Sequence, residues 1–359
     1  MARAKRKPTA KTEPTGVRAP ILSIADFARH LKLSAWTVSR AINGHPEVNE
    51  KTRRRVLAAM DELGFRPNPL ARGLGGRRTG MIGVCFMGLG NPIVDKKVYA
   101  LQEFFRRHHL QTVLEVRMRD RQQELHAIEN FRRIHVDGVV LMYSELNAAS
   151  SVEALKGVPC VQFDPHQPQT IPSIALDRQK AMRLLMDHLF RLEHTSFGLL
   201  GTGRNDVWRW PALVEIARAR HLDPEKIYLH FDDLLHVESM IERGQLMAQV
   251  VLEMDHRPTA LITANDQMAI GVIQTLREAG VSIPREISVT GFDNLDLGRK
   301  LHPTLTTIEQ NSVQLMERAG ALLLEQIKLP PDERGKPITE FIAPQLVVGE
   351  STGPARMGK

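Results

Sequence analysis

The sequence predicts two folds in one chain: a small all-α unit of helix-turn-helix form near the N-terminus, then an α/β unit of two lobes built from doubly wound parallel sheets. Three observations lead there. Apolar residues fall at helical spacing in three short runs between residues 23 and 63. From Met81 onward, short apolar runs alternate with amphipathic stretches. The excess of basic residues is confined to the first fifth of the chain.

At 359 residues the chain exceeds one typical domain of roughly 100–200 residues, so a multidomain protein is expected. A hydrophobic content of 42% and a charged content of 25% match globular averages and exclude disorder for the bulk. No apolar run approaches the roughly 18 residues that span a bilayer. The opening Met1-Ala-Arg-Ala-Lys-Arg-Lys-Pro has no apolar segment behind its basic residues, as a secretory signal would. A cytoplasmic protein with no membrane partner is expected. Residues 1–80 hold 17 Lys and Arg against 6 Asp and Glu, net +11, and the rest holds 31 against 35, net −4. A positive field that local favours a polyanion, of which nucleic acid is the commonest. Cys85 and Cys160 lie in separate apolar runs without C-x-x-C spacing and read as buried thiols.

Residues 1–20 are rich in Lys, Arg, Pro and Thr and read as a disordered basic arm. Order is expected over 21–66. Ser23-Ile-Ala-Asp26 has the form of a capping box, with Ile24, Phe27, Ala28 and Leu31 at i, i+3, i+4 and i+7 behind it. Ser34 can cap a second helix that turns Val38, Ala41 and Ile42 inward and leaves Trp36, Ser39, Arg40 and Asn43 as a polar stripe. Asn49 can cap a third, with Val56, Ala59, Met60 and Leu63 inward and Gly64 ending it. A helix, a tight turn and a second helix with a hydrogen-bonding, cationic edge suit major-groove reading, although an ordinary three-helix bundle shares the pattern.

The letters go further. Ser34-Ala-Trp-Thr-Val-Ser-Arg-Ala-Ile-Asn-Gly44, Val48-Asn-Glu-Lys-Thr-Arg53 and Leu63-Gly-Phe-Arg-Pro-Asn68 closely resemble the DNA-binding headpiece of the lactose-repressor family. That resemblance implies base reading by Ala35 and Trp36 after the capping Ser34, with Arg40 on the groove side. It gives Ser23, Thr37, Ser39 and Asn43 phosphate-holding or helix-fixing roles. Trp36 departs from the usual amide or guanidinium reader, and a thymine methyl is its expected target. Lys32 stands where the family has a turn glycine, at a cost of about 1 kcal/mol if its φ is positive. Residues 67–79, through Pro67-Asn-Pro-Leu-Ala-Arg-Gly-Leu-Gly75, resemble the family's hinge helix, which implies that Leu74 wedges into the minor groove. Gly73, Gly75 and Gly76 disfavour helix there, so order is expected only on DNA.

Residues 80–349 carry the alternation of strand and helix. Buried strands are expected at 81–86, 112–116, 137–142 and 158–163, and again at 197–201, 227–231, 260–264 and 287–292, with helices such as 178–192 and 266–279 between them. Lobe 1 is expected over about 80–178 and 309–340, lobe 2 over about 179–308 and 341–349, and 350–359 as a tail. Ligands of such folds sit at the carboxyl ends of strands, here between lobes.

Arg257-Pro-Thr-Ala, Asn265-Asp-Gln-Met-Ala-Ile-Gly271, Gly291-Phe-Asp-Asn294 and Pro303-Thr-Leu-Thr-Thr307 resemble the periplasmic-binding-protein-like sensor of the same family. With the headpiece, the resemblance covers residues 21 to about 349. It implies a small-molecule effector held by Asn91, Asp164, Arg209, Asn265 and Asp293, with Trp208 and Trp210 as candidates to stack on a sugar face. A carboxylate, an amide and a guanidinium together suit vicinal hydroxyls. Ile93 and Val94 follow Asn91-Pro92 where the family often has aromatics, so a carbohydrate is preferred to a nucleobase. In Arg209-Trp-Pro-Ala-Leu213 the family's R-x-x-G-F has diverged.

Gly198-Leu-Leu-Gly-Thr-Gly203 resembles a phosphate loop but lacks its full spacing, and no H-E-x-x-H or G-x-S-x-G occurs. No cofactor, metal or catalytic set is expected. The expected protein is a homodimeric transcription regulator on a pseudo-palindromic double-stranded operator. The alternatives are a solute-binding module of a transport system and a nucleobase-responsive regulator.

Overall fold

The computed structural model describes residues 23–42, 44–66, 78–88, 90–118, 120–165, 171–231, 237, 239–334 and 338–356. The chain divides into two compact units, Met1–Arg77 and Arg78–Lys359. The expected basic arm, Asn43 and the hinge with Leu74 lie outside the described residues.

The first unit holds α1 (Ile24–Leu31), α2 (Ala35–Ile42) and α3 (Glu50–Glu62). Each is opened by the residue the sequence nominates. Ser23 Oγ accepts from the Asp26 amide at 3.1 Å, Ser34 Oγ from the Thr37 amide at 3.0 Å, and Asn49 Oδ1 from the Thr52 amide at 2.7 Å. Each such cap contributes about 1 kcal/mol by satisfying an amide the helix cannot. Phe27, Ala28, Leu31, Val38, Ala41, Val56 and Met60 form the core, with Ile42, Ala59 and Leu63 at its margin. Phe65, beyond the end of α3, completes it by stacking on Phe27 with ring centres 4.4 Å apart. Lys32 does adopt the left-handed region, φ 54 and ψ 40, and its amide bonds back to the Ala28 and Arg29 carbonyls.

In the second unit, β1 (Met81–Met87), β2 (Gln111–Arg117), β3 (Gly138–Met142), β4 (Cys160–Phe163), β5 (Ser173–Leu176) and β11 (Thr339–Ile342) make one all-parallel sheet in the order β11-β5-β4-β3-β1-β2. Alternate residues feed two layers. Ile82, Val84 and Phe86 pack with Leu101 and Phe105 of α4 (Pro92–Arg107) and with Leu315 and Leu323 of α13 (Ser312–Lys328). Cys85, Leu141 and Cys160 pack on the other side with Ile128 and Phe131 of α5 (Arg121–Arg133) and Leu155 of α6 (Ala148–Leu155). Burial there pushes the Cys85 thiol up to about 12.

The second lobe is built on β6 (Phe197–Leu200), β7 (Tyr228–Phe231), β8 (Ala260–Thr263) and β9 (Ser288–Thr290), parallel in the order β7-β6-β8-β9. On one side lie α7 (Arg178–Arg191) and α8 (Arg209–Ala219); short α9 (Pro224–Ile227) leads into β7. On the other lie α10 (Met240–Leu252) and α11 (Asp266–Glu278), and α12 (Asp296–Arg299) follows β9. The backbones of α10 and α11 approach so closely that a Cβ at Gly244 would stand 2.2 Å from the Met268 carbonyl oxygen, and one at Gly271 would stand 2.0 Å from that of Ile241. Only glycine fits at either place.

The eight expected strands are present, and β5, β10 (Thr307–Glu309), β11 and β12 (Gln345–Val347) are additional. Each is three or four residues long, too short to show a period. β10 and β12 pair antiparallel in a ribbon of their own. The expected lobe limits shift accordingly: β11 pairs with β5 as far as Ile342, and the helix opening at Arg178 packs in the second lobe against α8. Residues 350–356, expected as a tail, are part of the second lobe. Ser351 is buried, takes the Val289 amide on its carbonyl at 2.8 Å, and donates its hydroxyl to the Val289 carbonyl at 2.6 Å. His194 Nε2 lies 3.0 Å from the Gly353 carbonyl oxygen, and the Ala355 amide donates to Leu192 at 2.7 Å.

Candidate functional site

Two places combine exposed or strained residues with chemistry that the core does not need. The first is the outer edge of α2. Trp36 is 60% exposed although indole is large and apolar, and Ala35 and Ser34 beside it are exposed. The Arg40 guanidinium lies over the Trp36 ring at 3.8 Å and pairs with Glu47. Trp36 therefore stands on the solvent side, as its stripe predicts, and is held by a cation on its face. Thr37 Oγ1 is bonded to Ser34 Oγ at 2.8 Å, and Ser39 is half-buried. The Ser23 hydroxyl donates to the Asp26 carboxylate at 2.6 Å while capping α1. The pairing of Arg40 with Glu47 has no sequence signal, because the two are seven apart across the break between α2 and α3.

The second place lies between the lobes, where strands end. Tyr143, Asp164 and Asp293 follow β3, β4 and β9 with φ of 56, 46 and 129, and Asn294 has φ 51. Four non-glycine residues in the left-handed region at neighbouring strand ends is strain of the kind that structures keep where ligands are held. Asp164 is buried and chelated: Arg178, at the start of α7, donates from both terminal nitrogens at 2.6 and 3.0 Å, and the Leu176 amide adds a third bond at 3.0 Å. The pair joins a strand end of the first lobe to the first helix of the second.

Asp293 is buried and accepts from Gln310 Nε2. Burial, reinforced by neighbouring Asp266, pushes its carboxyl up to about 7, against the pull of Lys97 and Arg209. Asp266 itself fixes this turn by accepting from the Thr307 hydroxyl at 2.5 Å and the Leu295 amide at 2.6 Å. Arg209 lies over the Phe292 ring at 4.3 Å and donates to the Ala264 carbonyl at 2.9 Å. Asp164, Asp293 and Arg178 all lie within electrostatic reach of Arg209, so the structure brings these residues to one neighbourhood between the lobes.

Of the other expected contacts, two asparagines cap helices through Oδ1 and two tryptophans lie at the start of α8. Asn91 and Asn265 cap α4 and α11 through bonds to Ile93 N at 3.3 Å and Met268 N at 2.9 Å. Trp210 packs edge-on to His230 and Tyr228 with ring centres 4.7 and 5.9 Å away, so it is a lobe residue; Trp208 is half-buried at the start of α8. Among the described residues no cluster of three metal-ligating side chains occurs, and no helix is long and apolar enough to cross a membrane.

Residues 23–68 match the model of "Bacterial regulatory proteins, lacI family", and residues 186–352 match "Periplasmic binding protein-like domain". The HTH-type transcriptional regulator reg1 of Streptomyces lividans is 32% identical, over 92% of this chain and 97% of its own length. The chain belongs to the lacI family of bacterial regulatory proteins. Another relative of this lacI-family member, the ribose operon repressor of Haemophilus influenzae, is 26% identical over 92% of this chain and 98% of its own. The lac repressor dimer bound to operator and an anti-inducer superposes with a TM-score of 0.80 at 26% identity, covering 92% of this chain and 99% of that one. This lacI-family protein is a sequence-specific, DNA-binding transcription regulator with a helix-turn-helix unit and a two-lobed α/β sensor.

Sequence reasoning missed Arg178, Lys97, Tyr143 and Gln310 at the cleft. Arg178 carried a signal, as the cation following Asp177 at a helix start. Lys97 and Gln310 carried none, because a polar letter inside an amphipathic run reads as solvent-facing.

Proposed function

We propose that the protein is a homodimeric repressor that works in the cytoplasm without catalysing a reaction, and that a sugar or sugar derivative bound between the lobes sets its affinity for a pseudo-palindromic operator. The observation that carries the reading is the convergence of Asp164 and Arg178 with Asp293 and Arg209 on one cleft of strained strand ends. Such a set offers acceptors and donors side by side, as vicinal hydroxyls require. The names of relatives, an operon repressor for ribose among them, support a sugar.

Ala35, Trp36 and Arg40 are the proposed base readers, with Ser23, Ser34, Thr37, Ser39 and Asn43 fixing the helix or holding phosphates and Leu74 as the minor-groove wedge. Dimerisation is supported by β2, an edge strand that exposes Leu114 and Val116 on one face, with Met118 following in phase and Tyr99 70% exposed on α4. An open apolar edge of that kind calls for a cover. The test is operator binding, followed by mobility shift, with the sugar that most stabilises the protein against heat. Asp293→Ala should remove the change in operator affinity that this sugar produces. A variant that responds like the native protein overturns the cleft assignment.

A further inference from the structure

Lys97 is fully buried on the inward face of α4, in the stripe that Val94, Val98, Leu101 and Phe105 make apolar. A lysine there is costly, since an ammonium without water needs a counter-charge. No carboxylate bonds to it directly: its two hydrogen-bond partners, Gln310 Oε1 at 2.6 Å and Tyr143 Oη at 3.1 Å, are neutral, and it forms no ion pair among the described residues. The carboxylates within electrostatic reach are committed. Asp164 is chelated by Arg178, Asp293 takes Gln310, and Glu309 accepts from Asn294 Nδ2 and the Asn311 amide. Burial accordingly pulls the amino group down to about 8. An ammonium has three donors; two are used in these hydrogen bonds, and among the described residues the remaining side of the group meets only the Phe163 and Tyr143 rings, 4.8 and 5.7 Å from Nζ.

We propose that the effector carries an anionic group, a carboxylate or phosphate on a polyhydroxyl frame, and that Lys97 selects it. The inference rests on the cleft reading above and adds the charge of the ligand. Lys97 stands among the groups that define the cleft: its neighbours are Tyr143 and Asp164 of the first lobe, Arg178 and Asp293 of the second, and Gln310 between. Lys97 is fully buried among these neighbours, so the proposal includes a parting of the lobes that admits the ligand. Arg178 stands within electrostatic reach of Lys97 and is itself paired with Asp164, so among the described residues Lys97 is the cation at this place without a carboxylate bonded to it. A carboxylate or phosphate oxygen supplies the missing partner where low polarity makes the bond strong, whereas a neutral hydroxyl leaves the ammonium uncompensated. As mere packing the residue has no rationale, because a straight apolar chain of the same length fills the site without the desolvation.

Isothermal titration of the full chain with glucose, galactose, gluconate, galacturonate and glucose 6-phosphate tests this. At least one anion should bind about tenfold or more tightly than its neutral parent. Whether an acid or the phosphate does so identifies which anion the site takes. Lys97→Met should bring acid and parent close to equal affinity, and without ligand it should melt no lower than the native protein. A neutral parent binding as tightly as its anions to the native protein overturns the inference and leaves the cleft reading standing. A preference unchanged in Lys97→Met overturns the role of Lys97. Binding of none of the five overturns both readings.

Discussion

Asp293 sits where backbone strain, burial and a neighbouring carboxylate act together. Its carboxyl titrates about 7 in the fold against an ordinary value of 3.8, so the folded state keeps a proton that the unfolded chain gives up. Stability from this group is whole below the ordinary value and is lost as pH rises through about 7. Lys97 works the other way, from 10.5 down to about 8, so its effect belongs to alkaline solution. Thermal unfolding of the native protein should therefore show stability falling between about pH 5 and 7, and Asp293→Asn should flatten that fall. Equal slopes in the two proteins would contradict the burial of an ionisable carboxyl. Asp293 and Asp164 follow apolar strand runs that can be read in the sequence, whereas Arg209 stands in a diverged segment and is nominated only by the family resemblance. Lys97 was not, because pattern reading gives a charged letter to water and only packing shows what surrounds it.

At the scale of elements, α2 combines strict local requirements with an unusual edge. Ser34 opens it, Val38 and Ala41 bury it, and Trp36 and Arg40 stack on its exposed side. A stacked pair that meets bases as one surface should set which half-site is chosen. Selection from random duplexes with Trp36→Ala should give a changed base preference, with a loss of about 1–3 kcal/mol on the native site. An unchanged preference would remove Trp36 from base reading. The three short helices were readable almost to the residue, since Ser23, Ser34, Asn49 and Gly64 mark their ends and the apolar letters between keep one period. Phe65 escaped because it lies beyond the last helix, where no period extends. Glu47 escaped because ion pairs across a loop depend on the turn and not on spacing.

For the whole molecule, the principal strands of both sheets follow from buried apolar runs, while their order and the way the chain crosses between lobes do not. The crossings near residues 176–178, 309–311 and 342–345 use strands too short to announce themselves, and the last one places 350–356 against the second lobe. A protein ending at Gly349 loses the bonds of Ser351, Gly353 and Ala355 and leaves His194 and Ser288 without those partners. With each bond contributing about 1 kcal/mol, a loss of roughly 3–5 kcal/mol is expected, read as a lower melting temperature. Unaltered melting would make the segment dispensable.

Gln310 belongs to a crossing and to neither lobe, immediately after β10, and its one amide faces two masters. Its oxygen holds Lys97 and its nitrogen holds Asp293. A guest that displaces that oxygen from Lys97 would cut one of the two bonds Gln310 makes at this crossing. On the proposed reading occupancy would act at the crossing itself, with no intermediary between guest and connection.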